Sequence, residues 1–214
     1  MLPASIRGMI KKNVRSAGPA WKGFPMKKKP AEPMRLFVAL ALSQPMIEEA
    51  MAVSETWFPY CPRARFTRPE NLHITLRFLG MCDPGKVERI TSAMAWTAAI
   101  AAPLSLRLGR PGFFRKGNES ILWLGLTGDL DRLGQLRSDL DIALENIGFP
   151  KESAPYRPHI TIARGVKEAD PAAMCAAVAP RPLGVKASEL ILMHSTRVDD
   201  ELTYVPIARA PIGG

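Results

Sequence analysis

Hydrophobic and polar positions along this chain follow two periods. Short apolar runs bounded by Gly and Pro are typical of strands, and apolar residues recurring every three or four positions are typical of helices. The pattern predicts strands at 35–40, 72–79, 104–108, 121–126, 158–164, 183–193 and 202–208. It predicts helices at 44–57, 83–99, 129–147 and 171–179, and a loop at 109–120.

The order of these elements indicates an internal duplication. Strand, helix, strands, helix and strands follow one another, and the same unit recurs in each half of the chain. This order predicts a two-lobed α+β protein with antiparallel or mixed sheets. No apolar run approaches the roughly 18 to 20 residues that a membrane-spanning helix needs. A soluble protein without membrane contact is therefore expected.

Positive charge is concentrated at the start of the chain. The first 34 residues hold eight basic side chains and one acidic side chain, so the remaining 180 residues carry only +2 of the total +9. A broad basic face for long duplex nucleic acid is not expected there. Residues 1–33 are predicted to be a disordered basic extension, followed by one domain at 34–214. An organelle transit segment, an upstream start codon and an accessory RNA-binding arm are alternatives for the extension.

The three cysteines, Cys61, Cys82 and Cys175, are odd in number and widely spaced. They form no Cys-x-x-Cys pair, so neither a disulfide framework nor a zinc site is expected. Thiols of this kind are typical of a reducing compartment, which favours a cytoplasmic protein.

Two of the three histidines lie in near-identical strand contexts, His73-Ile74-Thr75-Leu76 and His159-Ile160-Thr161-Ile162. Side chains alternate along a strand, so each His shares a face with the Thr two residues later. If the halves are related by a pseudo-twofold axis, the two polar faces meet across a groove. Two imidazoles and two hydroxyls suit phosphodiester chemistry, which needs a base, an acid and donors to phosphate oxygens. A single copy would be typical of a structural histidine, whereas the repeat indicates function.

The stretches 71–80 and 157–164 resemble the paired motifs of the 2H phosphoesterase superfamily, and most of all its RNA 2′,3′-cyclic phosphodiesterases, historically called 2′-5′ RNA ligases. The resemblance covers about residues 34–210, including the opening 35–40 and the closing 189–195 and 204–207. It implies a bilobal fold with both motifs in a central cleft between two sheets, helices outside, and no metal or other cofactor. A monomer acting on RNA ends or nucleoside cyclic phosphates is expected.

The resemblance also implies roles for the motif residues. A 2′,3′-cyclic phosphate would be opened to a 2′-phosphomonoester, with His73 as the general acid for the ribose 3′-oxygen and His159 as the general base for water. Thr75 and Thr161 would hold the non-bridging oxygens. Opposite protonation of the two rings, and hence a bell-shaped rate profile, is expected.

Three further residues are candidates for substrate contact. In the family, the position five after each His contacts substrate, which here implies Phe78 for the base and Arg164 for the phosphate. Strict alternation turns both away from their His, so a strand end or a bulge is required. Arg77 alternates toward the cleft and is a candidate phosphate contact, with a solvated strand charge as the alternative.

Features outside the two motifs predict function less specifically. His194 lacks the His-x-Thr context and is expected to be structural or at the cleft edge, and 199–201 is expected to be a hairpin turn. The basic and aromatic stretch 109–116 could stack a base or be a plain surface loop. Tyr156 and Arg157, which precede the second motif, are candidates for lining the cleft. Alternative functions are 2′-5′ RNA ligase or 2′-5′ phosphodiesterase activity, and binding of 2′-5′-linked or phosphorylated RNA without turnover.

Overall fold

The structure is a computed structural model that describes residues 31–167 and 169–213. The predicted N-terminal extension lies outside the described residues, apart from its last three positions. The strands are β1 (Met34–Leu40), β2 (Arg65–Phe66), β3 (Ile74–Cys82), β4 (Leu104–Lys116), β5 (Glu119–Gly128), β6 (His159–Val166), β7 (Gly184–Ala187), β8 (Glu189–Val198) and β9 (Glu201–Pro211). The helices are α1 (Gln44–Trp57), α2 (Val87–Ile100), α3 (Leu130–Glu145) and α4 (Pro171–Ala176).

The strands form two antiparallel sheets. The first has the order β3-β1-β8-β9, and the second has the order β2-β6-β5-β4-β7. Helix α2 packs on the first sheet, α1 and α4 pack on the second, and α3 contacts one strand of each, β3 and β4. Each motif strand thus belongs to a different sheet, β3 to the first and β6 to the second. The predicted bilobal α+β architecture with antiparallel sheets is confirmed.

Apolar faces of both sheets and of the helices explain this arrangement. In β1, five consecutive residues from Leu36 to Leu40 are buried, and in β5 the buried positions alternate. The helices α1, α2 and α3 each present a buried apolar stripe, whose members include Met46, Met94 and Leu140. Burial of such side chains contributes about 1.5–3 kcal/mol each. Within the described part of the chain, no helix is both long and apolar enough to cross a membrane.

Two element predictions were wrong. The segment predicted as one strand at 183–193 is two strands, because the chain leaves the second sheet after Ala187 and enters the first at Glu189. The predicted loop at 109–120 is mostly strand, since β4 and β5 continue as a hairpin closed at Gly117, whose φ is +62°. A register shift between Leu108 and Pro111 absorbs the irregular Gly-Arg-Pro-Gly sequence without ending the strand.

Candidate active site

The two motif strands carry matching backbone irregularities. Opposite β1, the strand β3 has an extra residue at Leu76 and another at Leu79. Opposite β5, the strand β6 has extra residues at Ile162 and Gly165. In both strands these are the third and the sixth positions after the motif His. The two halves therefore repeat their β-bulges as well as their sequence, and each bulge interrupts the strict alternation of side chains.

These bulges reorient the residues five positions after each His. Phe78 is 52% exposed and lines a cavity together with Thr75 and His159. Arg164 is exposed, and its Nη2 donates a 3.3 Å hydrogen bond to Thr161 Oγ1. Both side chains thus lie on the side of their motif Thr. The bulge that strict alternation requires for Phe78 and Arg164 is present in each strand.

The expectation that Arg77 faces the cleft was wrong. Leu76 and Arg77 are both buried, because the bulge at Leu76 turns the next side chain toward the interior. Arg77 is 4% exposed, and its guanidinium lies 3.0 Å from Asp141 and 2.8 Å from Glu152. A second arginine, Arg137, completes this network through the same two carboxylates. Arg77 therefore holds α3 and the loop after it against β3 and has no access to substrate.

Each motif imidazole is held through its Nδ1 atom by a backbone carbonyl two residues earlier. His73 Nδ1 lies 2.7 Å from the Asn71 oxygen, and His159 Nδ1 lies 2.6 Å from the Arg157 oxygen. A carbonyl oxygen only accepts, so Nδ1 carries the proton in both rings. This leaves Nε2 as the atom that gains or loses a proton. His73 Nε2 lies 2.9 Å from Thr75 Oγ1, whose hydroxyl donates to the neutral ring.

Asn71 connects the first motif to the last strand. Its side-chain nitrogen donates to the Leu202 carbonyl at 2.7 Å, and its side-chain oxygen accepts from the Tyr204 backbone N–H at 3.0 Å. The residue is 5% exposed. Because the same residue presents its own carbonyl to His73, the ring orientation of the first motif depends on β9.

Aromatic rings from neighbouring strands pack against both imidazoles. Phe37 and Tyr204 lie 4.8 Å and 5.1 Å from the His73 ring centroid, and Tyr204 meets it edge-on. Phe114 and Trp123 lie 5.0 Å and 6.0 Å from the His159 ring centroid. These four rings restrict both imidazoles to one orientation and exclude water from their faces. The basic and aromatic segment 109–116 is therefore neither a plain loop nor far from the site, since Phe114 belongs to it.

Burial makes both imidazoles poor proton acceptors in the free protein. It lowers the pKa of His73 from 6.5 to about 4, against the opposing effect of the Asn71 carbonyl, and the charges of Arg164 and His159 lower it further. Burial also lowers the pKa of His159, again with a contribution from Arg164. In the free protein both shifts favour the neutral ring at neutral pH. A bound phosphate, being anionic, would raise both pKa values.

Three cavities surround the motif residues. One of about 380 Å³ is lined by Phe78, Phe114 and Tyr156, with Thr75 and His159 at its wall. A second of about 340 Å³ and a third of about 270 Å³ both include Arg164 and Tyr204 in their walls. A larger cavity of about 600 Å³ lies between α2 and α3 and is lined by neither motif. The site is therefore a branched cleft with an apolar side and a cationic side.

The remaining predicted residues take minor positions. His194 is half-buried on β8, opposite Leu36 and Val205, and lines none of these three cavities. The hairpin turn predicted at 199–201 is confirmed at Asp199 and Asp200, which both have positive φ between β8 and β9. Within residues 31–167 and 169–213, no group of three or more His, Cys, Asp or Glu could hold a metal ion.

Sequence reasoning missed most of the ring contacts. Phe37, Trp123 and Tyr204 each read as ordinary strand aromatics, because β-propensity alone accounts for them. Only the sheet order brings β1, β5 and β9 beside the motif strands. Asn71 stands within the first motif stretch, but its side-chain bonds to β9 depend on a segment more than 130 residues away.

Comparison with known proteins shows which family this chain belongs to. The sequence profile of the 2′-5′ RNA ligase superfamily matches residues 45–199. Two similar proteins are both named RNA 2′,3′-cyclic phosphodiesterase. The Geobacillus stearothermophilus protein is 32% identical over 83% of this chain, and the Methanothermobacter thermautotrophicus protein is 28% identical over 61%. The alignments span 57% of the first protein's length and 71% of the second's.

Solved structures show the same fold. Escherichia coli LigT complexed with 3′-AMP matches with a TM-score of 0.70 and 26% identity, covering 86% of this chain and all of that one. The Thermus thermophilus protein TT0787 matches with a TM-score of 0.68 and 22% identity, covering 85% and 99% of the two chains.

Proposed function

The chain belongs to the 2′-5′ RNA ligase superfamily, and from that premise we propose that it hydrolyses 2′,3′-cyclic phosphates at RNA or nucleotide ends to 2′-phosphomonoesters. The observation that carries this proposal is the repeated unit of imidazole, hydroxyl and double bulge. Each copy ties Nδ1 to a carbonyl and leaves Nε2 as the titrating atom. Two such copies supply one proton acceptor and one proton donor for a displacement at phosphorus. The names of the similar proteins support the same reaction. The 3′-AMP complex of LigT supports binding of a nucleotide by this fold.

The proposed reaction moves two protons. His159 Nε2 takes a proton from water as its oxygen attacks phosphorus, and the bond from phosphorus to the ribose 3′-oxygen breaks. His73 Nε2 donates a proton to that departing oxygen, and the 2′-oxygen keeps the phosphate. The hydroxyls of Thr75 and Thr161 donate to the non-bridging oxygens, where negative charge increases in the transition state.

The two +5 residues complete the proposed site. The Arg164 guanidinium neutralises the phosphate and raises the concentration of anionic substrate at the two rings. Phe78 lies at the apolar side of the cleft, where its exposed ring offers a stacking surface for the terminal base. Since both motifs lie in one chain, a monomer is sufficient for catalysis, and we propose the cytoplasm as the place of action.

The test is hydrolysis of a nucleoside 2′,3′-cyclic phosphate and of a short RNA with a 2′,3′-cyclic phosphate end, in excess EDTA, with the phosphate isomer of the product resolved. The wild-type protein is expected to give the 2′-phosphate. His73→Ala and His159→Ala are each expected to lower turnover by about 10²–10⁴. His194→Ala is the matched control and is expected to keep turnover. His194 is the third histidine of the chain, and it lies outside the cleft.

Three outcomes would contradict the proposal. The first is absence of turnover on both substrates by folded wild-type protein, which would favour a binding role if ligand still bound tightly. The second is a 3′-phosphate product, which would assign the leaving oxygen differently. The third is near-normal turnover in either folded motif variant.

A further inference from the structure

Two exposed arginines stand side by side at the edge of the second sheet. Arg65 on β2 is the direct cross-strand partner of Arg164 on β6. Directly opposite residues of an antiparallel pair share a face, with Cβ atoms about 4.5–5.5 Å apart, and like charges there are destabilising. The fold therefore holds a second guanidinium beside the one that reaches Thr161.

The guanidinium of Arg65 lies over a bulge glycine. A Cβ atom at Gly165 would lie 3.4 Å from Arg65 Nη1, and Gly165 has a φ of +75° that favours glycine. Gly165 is the second extra residue of β6, so the bulge that places Arg164 also makes room for Arg65 beside it.

No carboxylate offsets the charge of Arg65 within the described residues, where its side chain has no ion pair or hydrogen bond. The neighbouring Arg68 is different. Its guanidinium pairs with Glu70 at 3.0 Å and also with Glu201. Of Arg65 and Arg68, only Arg65 is thus left to attract an external anion. An anion bound there would also relieve the repulsion between Arg65 and Arg164.

A cavity of about 270 Å³ opens at this pair. Its wall includes three arginines and one carboxylate, Arg65, Arg68, Arg164 and Glu201, of which Glu201 pairs with Arg68. Tyr204, which packs against the His73 ring, also lines it. Arg164 acts electrostatically on both motif imidazoles, so the cavity begins next to the position proposed for the cyclic phosphate. It lies on the cationic side of the cleft, and Phe78 does not line it.

A nucleoside cyclic phosphate carries one phosphate, which the motif residues and Arg164 are proposed to hold. A second, adjacent cation has no partner in that ligand. An RNA chain ending in a cyclic phosphate has a further phosphodiester on the 5′ side of its terminal nucleoside, and arginine binds such groups with paired N–H donors. The cavity at Arg65 offers a cation for this group directly beside Arg164.

We propose that Arg65 and this cavity bind the phosphodiester that precedes the terminal nucleotide, so that the protein acts on RNA chain ends in preference to mononucleotides. The inference rests on the function proposed above. Arg65 is a specificity-determining residue here, because it contacts the chain and not the reacting phosphate.

The experiment compares kcat/KM for a nucleoside 2′,3′-cyclic phosphate and for a dinucleotide ending in the same cyclic phosphate. The wild-type protein is expected to prefer the dinucleotide. Arg65→Met is expected to lower kcat/KM for the dinucleotide by about tenfold or more, the range for a hydrogen bond to a charged group, and to leave the nucleoside value unchanged. An unchanged kcat/KM for the nucleoside would show that the variant is folded and that its reaction at the cyclic phosphate is intact.

Arg107→Met is the matched control. Arg107 is an exposed strand arginine on β4, in the same sheet but three strands from β2, and it pairs across the ladders with Thr127 and Gly184. Arg107→Met is expected to leave kcat/KM for the nucleoside and for the dinucleotide unchanged. This result would distinguish a local contact at Arg65 from a general attraction of RNA to a positively charged protein. The dinucleotide preference of the wild type is also expected to shrink as salt is raised.

The proposal is overturned if the wild type hydrolyses both substrates equally, if Arg65→Met lowers both values alike or neither, or if Arg107→Met reproduces its effect. If the wild type hydrolyses neither substrate, the proposed function itself is overturned.

Discussion

Tyr156 Oη donates a 3.0 Å hydrogen bond to the backbone carbonyl oxygen of Thr75. This bond joins the loop before the second motif to the strand of the first. The guanidinium of Arg137 lies 5.0 Å from the centre of the Tyr156 ring, and burial raises the pKa of the Tyr156 hydroxyl. The hydroxyl therefore stays protonated, as a donor, throughout the neutral range. Thr75 and His159 line the same cavity as Tyr156, so the bond fixes the width of the cleft between the motifs.

Tyr156→Phe removes this bond and keeps the ring under Arg137. It is expected to lower the free energy of unfolding by about 1 kcal/mol, the usual net contribution of one hydrogen bond. It is also expected to lower kcat/KM for a cyclic phosphate, because Thr75 loses its tie to the second lobe. Urea unfolding and initial rates check both effects. The control is Tyr60→Phe, since Tyr60 is 61% exposed, and equal behaviour of the two variants would contradict the assignment.

The buried carboxylate of Asp141 lies between two arginines, 3.0 Å from Arg77 and 3.3 Å from Arg137. Asp141→Asn leaves two buried guanidiniums sharing one remaining carboxylate. The expected loss in the free energy of unfolding is about 3–5 kcal/mol, since an uncompensated buried charge is costly. Urea unfolding measures this loss.

Two further variants test the cause of that loss. Arg77→Met added to Asp141→Asn removes one of the two stranded charges, so the double variant is expected to recover part of the stability. Glu189→Gln breaks the exposed pair with Arg209, which is expected to cost at most about 1 kcal/mol. A double variant no more stable than Asp141→Asn alone would contradict the buried network.

The repeated motif was visible in the sequence because it is local. His73 and Thr75, and their counterparts 86 residues later, share a face through the two-residue alternation of a strand. The approximate helix positions also followed from short-range periodicity, whereas the order of elements left antiparallel and mixed sheets both open. The fold class and the central residues of the site could therefore be predicted from the sequence pattern.

The position of the Arg77 side chain could not be predicted from the sequence pattern. Whether the fourth residue after the His faces the cleft or the core depends on the bulge at Leu76, and that bulge is set by the register with β1. Nothing in the local sequence marks it, since Leu76 is an ordinary strand residue. The split of 183–193 between two sheets has the same origin, because continuous β-propensity does not say which partner strand each half finds.

Gly112 is required by the ring that packs on His159. A Cβ atom at this position would overlap the six-membered ring of Trp123. That ring packs at a tilt against Phe114 and His159 and cannot swing away freely. Gly112→Ala is therefore expected to destabilise the protein by about 1–3 kcal/mol, as overpacking does. It is also expected to lower kcat for a cyclic phosphate, which initial rates on the folded variant would show.

Gly134→Ala is the matched control for that change. Gly134 lies within α3, and a Cβ atom there meets nothing within 4 Å. Alanine is favoured over glycine in a helix interior by about 0.5–1 kcal/mol, so this variant is expected to be more stable and fully active. If Gly112→Ala behaved like Gly134→Ala, the rings would be free to adjust and the packing argument would be wrong.

Acid is expected to destabilise the protein through His73. The unfolded chain binds a proton at this ring with a pKa near 6.5, and the folded protein does so only near pH 4. Between those values the unfolded state holds more protons, so the free energy of unfolding falls as pH falls through this window. At about 1.36 kcal/mol for each pKa unit, the loss attributable to this ring approaches roughly 3 kcal/mol. His73→Gln is expected to reduce this pH dependence, measured by urea unfolding between pH 7 and 4, and His159, whose pKa is also lowered, accounts for part of what remains.

The pH dependence of the rate is expected to differ between kcat/KM and kcat. His73 must be protonated to donate to the leaving oxygen, so activity falls as pH rises through its pKa. His159 must be neutral to accept from water, so activity falls as pH drops through its pKa. The kcat/KM profile reports the free protein, where burial lowers both pKa values, so its maximum is expected below neutral pH.

In the complex, the phosphate anion raises the pKa of His73, so the basic limb of kcat is expected at a higher pH than the basic limb of kcat/KM. Initial rates on a nucleoside 2′,3′-cyclic phosphate between pH 4 and 9 measure both profiles. Arg164→Met sharpens the test. It removes a cation that lowers the pKa of both rings, and is therefore expected to move the basic limb of kcat/KM upward while weakening binding. Coincident basic limbs for kcat and kcat/KM, unmoved by Arg164→Met, would show that His73 is not the proton donor.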